Sequence, residues 1–191
     1  MDKTVIRTAV LSDTERLLEI YAYYVENTTI TFKYDVPSVM EFQNRMEKIL
    51  QKYPYIVAQQ NNRIVGYAYA GSFVGRKAYD WSAELTVYVD KNYHRCGIGR
   101  ELYKVLEDIL KKMGITNLYA CISVSDSDDE YLTSNSIDFH NHLGFKKVGE
   151  FHECGYKFNR WYNMAWAEKI IGEHCDNKKD IVYFNKLDYN F

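Results

Sequence analysis

Apolar residues along the chain shift between helical and strand-like spacing, and each shift marks an element. Thr4 to Val10 alternates and predicts a first strand. Ser12 and Glu15 follow with capping-box spacing. Leu17, Leu18, Ile20, Tyr21, Tyr24 and Val25 then form a broad apolar face, which predicts a helix to about Glu26. Asn27 to Asp35 is a Thr-rich connection whose apolar members are Ile30 and Phe32. Ser38 and Glu41 make a second capping box after Pro37, and Phe42, Met46, Ile49 and Leu50 give its helix one apolar side. Tyr55 to Gln59 and Arg63 to Ser72 read as a hairpin across Asn61-Asn62. Phe73 to Asp80 reads as a loop, and Ser82 to Asp90 as the next strand.

From Ile98 the spacing turns helical again, through Leu102, Val105, Leu106, Ile109, Leu110 and Met113, and Gly114 supplies the stop. Asn117 to Val124 predicts a strand, and Ser125 to Glu130 an exposed acidic loop. Thr133 or Ser134 can cap a short helix through Leu143, ended by Gly144. Lys146 to Cys154 and Arg160 to Ile170 read as two last strands joined near Gly155. Long helices alternate with strands, yet the hairpins exclude a purely parallel sheet. The expected fold is mixed α/β (α+β), with helices on both faces of a mixed sheet. Residues 1–171 read as one domain and 172–191 as a tail. Within the tail, Ile181 to Phe184 can dock as an extra strand or pack in a dimer contact.

Composition narrows the partners. The net charge of −2 does not favour nucleic acid, which calls for a basic excess or stripe. No apolar run is long enough to span a bilayer, and the amino terminus lacks a signal-peptide core. A cytoplasmic protein without membrane or nucleic-acid partners is expected, as a homodimer. The four cysteines, Cys96, Cys121, Cys154 and Cys175, match no zinc or redox spacing. No metal is expected, and the thiols read as reduced and mostly structural. Eighteen tyrosines can fill a core while keeping hydroxyls for polar work.

The stretch from Val87 to Arg100 organises the chain. It reads as a strand, a basic turn and a helix start. Gly97 and Gly99 allow unusual dihedrals and close approach of a ligand. Unpaired N–H groups and the helix dipole attract phosphate there, beside Arg95 and Arg100. No Gly-Lys-Ser/Thr follows, so the turn is not a Walker loop. Nor is it a dinucleotide fingerprint, because the third glycine is missing. Arg95-Cys96-Gly97-Ile98-Gly99-Arg100 resembles the Arg/Gln-x-x-Gly-x-Gly/Ala loop of the GNAT superfamily of N-acetyltransferases. The phosphinothricin N-acetyltransferase-like branch is similar in further places. These are Tyr53 to Ala58, Gly66 to Gly71, Arg76, Ala78 to Trp81, Glu84 to Val89 and His140 to Phe145. The resemblance spans residues 4 to 170 and implies a splay between the strands at Ser82 and Asn117, with a slot for pantetheine. It also implies acetyl-CoA as co-substrate, its diphosphate on residues 95–100 and its pantetheine paired with Val87, Tyr88 and Val89.

Acetyl transfer needs a deprotonated amine, a polarised carbonyl and a stabilised thiolate. Glu84 shares a strand face with Ser82, Thr86 and Tyr88. It corresponds to the branch's proposed general base in Trp-x-Ala-Glu, and could otherwise be a solvated strand carboxylate. His140 stands where many family members carry a tyrosine thought to protonate the thiolate, and it could act as acid or base. Cys96 could carry an acetyl group, but the resemblance implies direct transfer. Arg76 could grip a substrate carboxylate, with Phe32, Tyr79 and Tyr162 as pocket walls or as plain packing. The branch's Asn-x-x-Ser appears here as Thr133-Ser134-Asn135-Ser136 after an acidic insertion at 126–130, so Asn135 or Thr133 would replace the coenzyme contact. A histidine common in the last strand of relatives is Tyr162 here. The reading is acetylation of a small amino acid or analogue of the phosphinothricin or methionine sulfoximine type. The alternatives are a polyamine, aminoglycoside or protein amino terminus as acceptor, or a non-catalytic acyl-CoA sensor.

Overall fold

A computed structural model describes residues 3–125, 127–133 and 135–191. Among these residues one sheet runs in the order β1-β2-β3-β4-β5-β7-β6. Its strands are β1 (Val5–Thr8), β2 (Tyr55–Gln60), β3 (Arg63–Ser72), β4 (Ser82–Val89), β5 (Asn117–Val124), β6 (Lys146–Lys157) and β7 (Arg160–Ile170). The helices are α1 (Thr14–Asn27), α2 (Val39–Leu50), α3 (Ile98–Met113) and α4 (Asn135–His142). Only β4 and β5 pair in parallel, and only from Ser82–Glu84 to Asn117–Tyr119. Beyond those residues the two strands part. The mixed α/β sheet with helices on both faces that the periodicity predicts is the fold of the chain.

Alternation along β4 divides the core in two. Ala83 and Leu85 lie under α3 with Ile98, Leu102, Leu106, Ile109 and Leu110. Tyr88 lies on the opposite face with Leu17, Tyr21 and Tyr24 of α1, Phe42 and Met46 of α2, and Tyr55 and Tyr67. A buried aliphatic side chain contributes ~1.5–3 kcal/mol, so the stripe along α3 fixes that helix, and the turn before it, to the sheet.

Several expectations change at the element ends. Asp13 organises the start of α1, not the Ser12–Glu15 pair. Its carboxylate accepts from the Val10 N–H at 2.9 Å and pairs with Arg7 at 2.8 Å. The Ser38–Glu41 box does form: Glu41 N–H donates to Ser38 Oγ at 3.3 Å and Ser38 N–H to Glu41 Oε2 at 2.8 Å. The last hairpin does not turn at Gly155, which pairs with Tyr162 inside the ladder. It turns at Phe158 and Asn159, with φ of 52° and 60°, the positive values a two-residue hairpin turn demands. The tail adds no strand. It straps across its own chain, with Val182 N–H donating to Met113 O, Phe184 N–H to Lys52 O, and Trp81 Nε1–H to Lys179 O. All four cysteines are free and exposed, so they are not buried structural thiols. No helix among the described residues is long and apolar enough to cross a membrane.

Ser38→Ala removes one half of a formed capping box and should cost ~1 kcal/mol in chemical denaturation, while Ser12→Ala should leave the midpoint in place. Equal effects of the two substitutions would contradict this assignment of the helix starts.

Candidate functional site

The site begins with the peptide groups of β4. Asp90 N–H donates to Val65 O at 2.9 Å. Tyr88 lies opposite Tyr67, Thr86 opposite Tyr69 and Glu84 opposite Gly71. In an antiparallel ladder alternate residues turn both peptide groups to the same side. Tyr88, Thr86 and Glu84 therefore face β3, while Leu85, Val87 and Val89 face the gap left by β5. Val89 is already engaged: the Tyr24 hydroxyl donates to its carbonyl at 2.5 Å and accepts from its N–H at 3.3 Å. The Leu85 N–H closes the parallel ladder on the Tyr119 carbonyl; beyond it the Leu85 carbonyl and both peptide groups of Val87 have no ladder partner among the described residues. Of the predicted row Val87 to Val89, the Tyr88 peptide is thus turned away and Val89 is covered by Tyr24. The Leu85 carbonyl, absent from the sequence reading, joins Val87 as an open pairing group.

The basic turn is anchored from behind. Asp90 forms a close ion pair with Arg16 and accepts from Asn92 N–H at 2.9 Å. Burial works against its charge, yet these partners hold the carboxyl below the usual range. Arg95 has φ 61° and Gly97 φ 82°, and Gly97 opens α3 with no side chain capping it. The first N–H groups of α3 are therefore free for an anion. Arg95, Cys96 and Arg100 are exposed, whereas Ile98 is a core anchor at 1% exposure. Gly99 lies beneath the Phe139 ring of α4, where a Cβ would stand 3.2 Å away. A cleft of about 420 Å³ runs from Arg100 past Tyr103 and Lys104, bounded by Leu85, Leu143 and Phe145. Asn135, at the start of α4, donates to Thr133 Oγ1 at 2.6 Å; Ser134 lies outside the described residues.

Glu84 sits at the last paired position before the strands part, opposite Tyr119. Its side chain is half-buried, and burial raises its pKa above the ordinary carboxylate value. No hydrogen bond or ion pair engages it among the described residues. Its charge is felt at Tyr69, Tyr103 and Cys121, which places it at the junction of the two sides of the sheet.

His140 is 6% exposed, and its two nitrogens have defined roles. Nδ1 lies 2.7 Å from Ser136 O, which can only accept, so Nδ1 carries the proton. Nε2, 3.1 Å from the Tyr103 hydroxyl, then accepts. Burial lowers the His140 pKa, against the raising effect of the Ser136 carbonyl. Burial, with the charge of Glu84 second, also holds the Tyr103 phenol far above its ordinary value. A neutral imidazole in this tautomer has no proton on Nε2 to give. The sequence reading missed Tyr103, whose only sign is a hydroxyl-bearing residue on the apolar stripe of α3.

The remaining predicted residues divide. Phe32 packs on Gly155 of β6. Tyr79 is 38% exposed and meets Phe73 edge-on at 5.7 Å, and Phe73 stacks on Tyr119 at 4.1 Å. Arg76 is exposed at the start of the same short turn, and no described residue takes its guanidinium. Tyr162 is 2% exposed and donates to Asp129 Oδ2 at 2.8 Å, while Arg160 pairs with Asp129 and Glu130. Tyr162 therefore clamps the acidic insertion to β7 and leaves no open edge for a ligand. Among the described residues no group of three or more His, Cys, Asp or Glu could hold a metal ion.

The Acetyltransferase (GNAT) domain pattern matches residues 6–166, and the chain belongs to that family. It is 29% identical over 164 residues to a phosphinothricin N-acetyltransferase of Streptomyces viridochromogenes, covering 86% of each chain. It is 27% identical to an L-methionine sulfoximine/L-methionine sulfone acetyltransferase of Salmonella typhimurium, covering 89% of this chain and 96% of that one. A solved phosphinothricin acetyltransferase from Sinorhizobium meliloti, in complex with AcCoA, superposes with a TM-score of 0.84 at 28% identity. That match covers 95% of this chain and 98% of the other. The protein is a GNAT-type, acetyl-CoA-dependent acetyltransferase.

The residues present fit that co-substrate. The open Leu85 carbonyl and Val87 peptide groups suit an amide-bearing arm laid alongside β4, and the uncapped start of α3 suits a diphosphate. Gly97→Val should reduce acetyl-CoA affinity by at least about 100-fold, because φ 82° strains a β-branched residue and displaces the N–H groups. Calorimetry checks this; unchanged affinity would remove the turn from the coenzyme site.

Proposed function

We propose that the enzyme acetylates the primary amine of a small amino acid or amino acid analogue. The observation that carries this reading is the position of Glu84. It is an unpartnered, half-buried carboxylate at the point where β4 and β5 separate, on the face opposite α3. The names of the relatives supply the acceptor class, phosphinothricin and methionine sulfoximine. Arg76 supports it, because a free guanidinium can take a carboxylate through two parallel hydrogen bonds.

Acetyl-CoA supplies the activated acetyl group. Residues 97–100 bind its diphosphate through backbone N–H groups, and Leu85 and Val87 align its arm. A gap-side N–H of this strand also polarises the acyl carbonyl; one such donor contributes ~3 kcal/mol of barrier lowering. Glu84 accepts a proton from the acceptor ammonium, directly or through water, and its raised pKa makes it a stronger base than a solvated carboxylate. Arg76 holds the acceptor's carboxylate, and Phe73 and Tyr79 shape the pocket beside it. His140 acts behind Tyr103: its Nε2 accepts from the phenol and so orients a residue that lines the cleft.

Glu84→Gln should lower kcat by about 10²–10⁴-fold with acetyl-CoA affinity retained. In the parent, kcat/KM should fall as the pH drops through the Glu84 pKa and the base becomes protonated, and the variant should lack that limb. Equal turnover in the two proteins would exclude Glu84 as the base. Arg76→Ala should raise the KM of an amino acid acceptor by about 10–100-fold, with little change for an amine lacking a carboxylate. Thiol detection of released coenzyme A across an amine panel reads both. Equal loss for the two acceptor types would separate Arg76 from carboxylate binding.

A further inference from the structure

The connection between α1 and α2 crosses the open end of the splay. Thr31 Oγ1 lies 3.2 Å from the hydroxyl of Tyr21, whose ring meets that of Tyr88 of β4 edge-on at 5.1 Å. Thr29 Oγ1 meets Ser123 Oγ of β5 at 3.5 Å. Phe32 lies on β6 so closely that a Cβ at Gly155 would stand 2.6 Å from its ring. The Tyr34 hydroxyl donates to Tyr156 O. Residues 29–34 thus touch β5 and β6 directly and reach β4 through Tyr21, on the face that carries Glu84 and opposite α3.

One buried side chain ties this span to the hairpin. Lys157 is 2% exposed. Its ammonium donates to Val25 O at 2.7 Å, Thr28 O at 2.8 Å and Thr31 O at 2.9 Å. Val25 and Thr28 mark the C-terminal end of α1, where carbonyls lack helical donors and the dipole favours a cation. The Phe158 ring lies 4.9 Å from the same nitrogen. No carboxylate pairs with Lys157 among the described residues. A cation is tolerated in such a place only when its hydrogen bonds are met, and an ammonium has three donors. All three are used, so Lys157 has no free donor for a ligand.

We propose that Lys157 is the positioning residue of the acceptor pocket: it pins residues 28–34 over the splay, so that Thr31 and Phe32 form the roof above Glu84. The identity of the molecule under that roof rests on the proposed function; the pin does not. Lys157→Met removes all three donors at similar length, and Gly155→Ala displaces Phe32 by an independent route.

Hydrogen exchange of the substrate-free variants tests the pin. Amides of residues 28–34 should exchange at least about tenfold faster in both, with residues 95–100 as protected as in the parent. Unchanged exchange at 28–34 in both variants overturns the proposal. With any amine the parent acetylates, the acceptor KM should rise about tenfold while acetyl-CoA affinity by calorimetry stays within about twofold. A parallel loss of acetyl-CoA affinity would mark a general structural role and also overturn it. If the parent acetylates no amine, the acceptor reading fails, and the exchange result still decides the pin.

Discussion

Everything functional in this fold depends on two neighbouring strands that stop pairing. β4 and β5 share a parallel ladder for three residues each, ending at Glu84 and Tyr119. A buried, unpaired peptide group costs ~1–3 kcal/mol, so strands rarely separate without another partner for their edges. Here β3 takes one side of β4 from Ala83 to Val89. The other side, from the Leu85 carbonyl through Val87, stays open to a ligand that can stand in for a strand. Tyr24 covers the next such position, Val89, and so ends the open edge one residue before Asp90 and the basic turn.

That separation also divides the chemistry. On the α3 side Arg95, Arg100, Lys104 and the free helix start gather near the basic turn, with Glu107 and Asp108 further along the cleft. On the α1 side lie Glu84, the Phe73–Tyr119 stack and the span pinned by Lys157. Tyr103 and His140 stand near the boundary. Their hydrogen bonds run in one direction, Tyr103 hydroxyl to His140 Nε2 and His140 Nδ1–H to Ser136 O. This direction settles which nitrogen holds the proton, and residue type alone could not.

Much of this was legible in the chain. The apolar stripe of α3, with Gly97 before it and Gly114 after it, marks both helix ends, and φ of 82° and 90° at those glycines explains why. The alternation that groups Glu84 with Thr86 and Tyr88 holds in the sheet. What escaped depends on partners distant in sequence. Peptide direction along β4 follows from its ladder with β3, so Leu85 was overlooked and Tyr88 overvalued. Tyr162 looked like a pocket wall because its partner, Asp129, lies in an insertion with no periodicity. The Ser12–Glu15 pattern lost to Arg7, which draws Asp13 into the turn. The Phe158–Asn159 turn carries no glycine, so Gly155 attracted the prediction. Lys157 gave no sign at all, since a lysine near a hairpin end is ordinarily solvated.

The central claim is that the unpaired edge of β4 is the groove for the acetyl donor. A crystal structure with acetyl-CoA tests it most directly. The account predicts the pantetheine arm hydrogen-bonded to the Leu85 carbonyl and the Val87 peptide groups, with the diphosphate on the N–H groups after Arg95 and the thioester beside Glu84. An arm bound along any other edge, or a thioester on the side of the sheet away from Glu84, would contradict it.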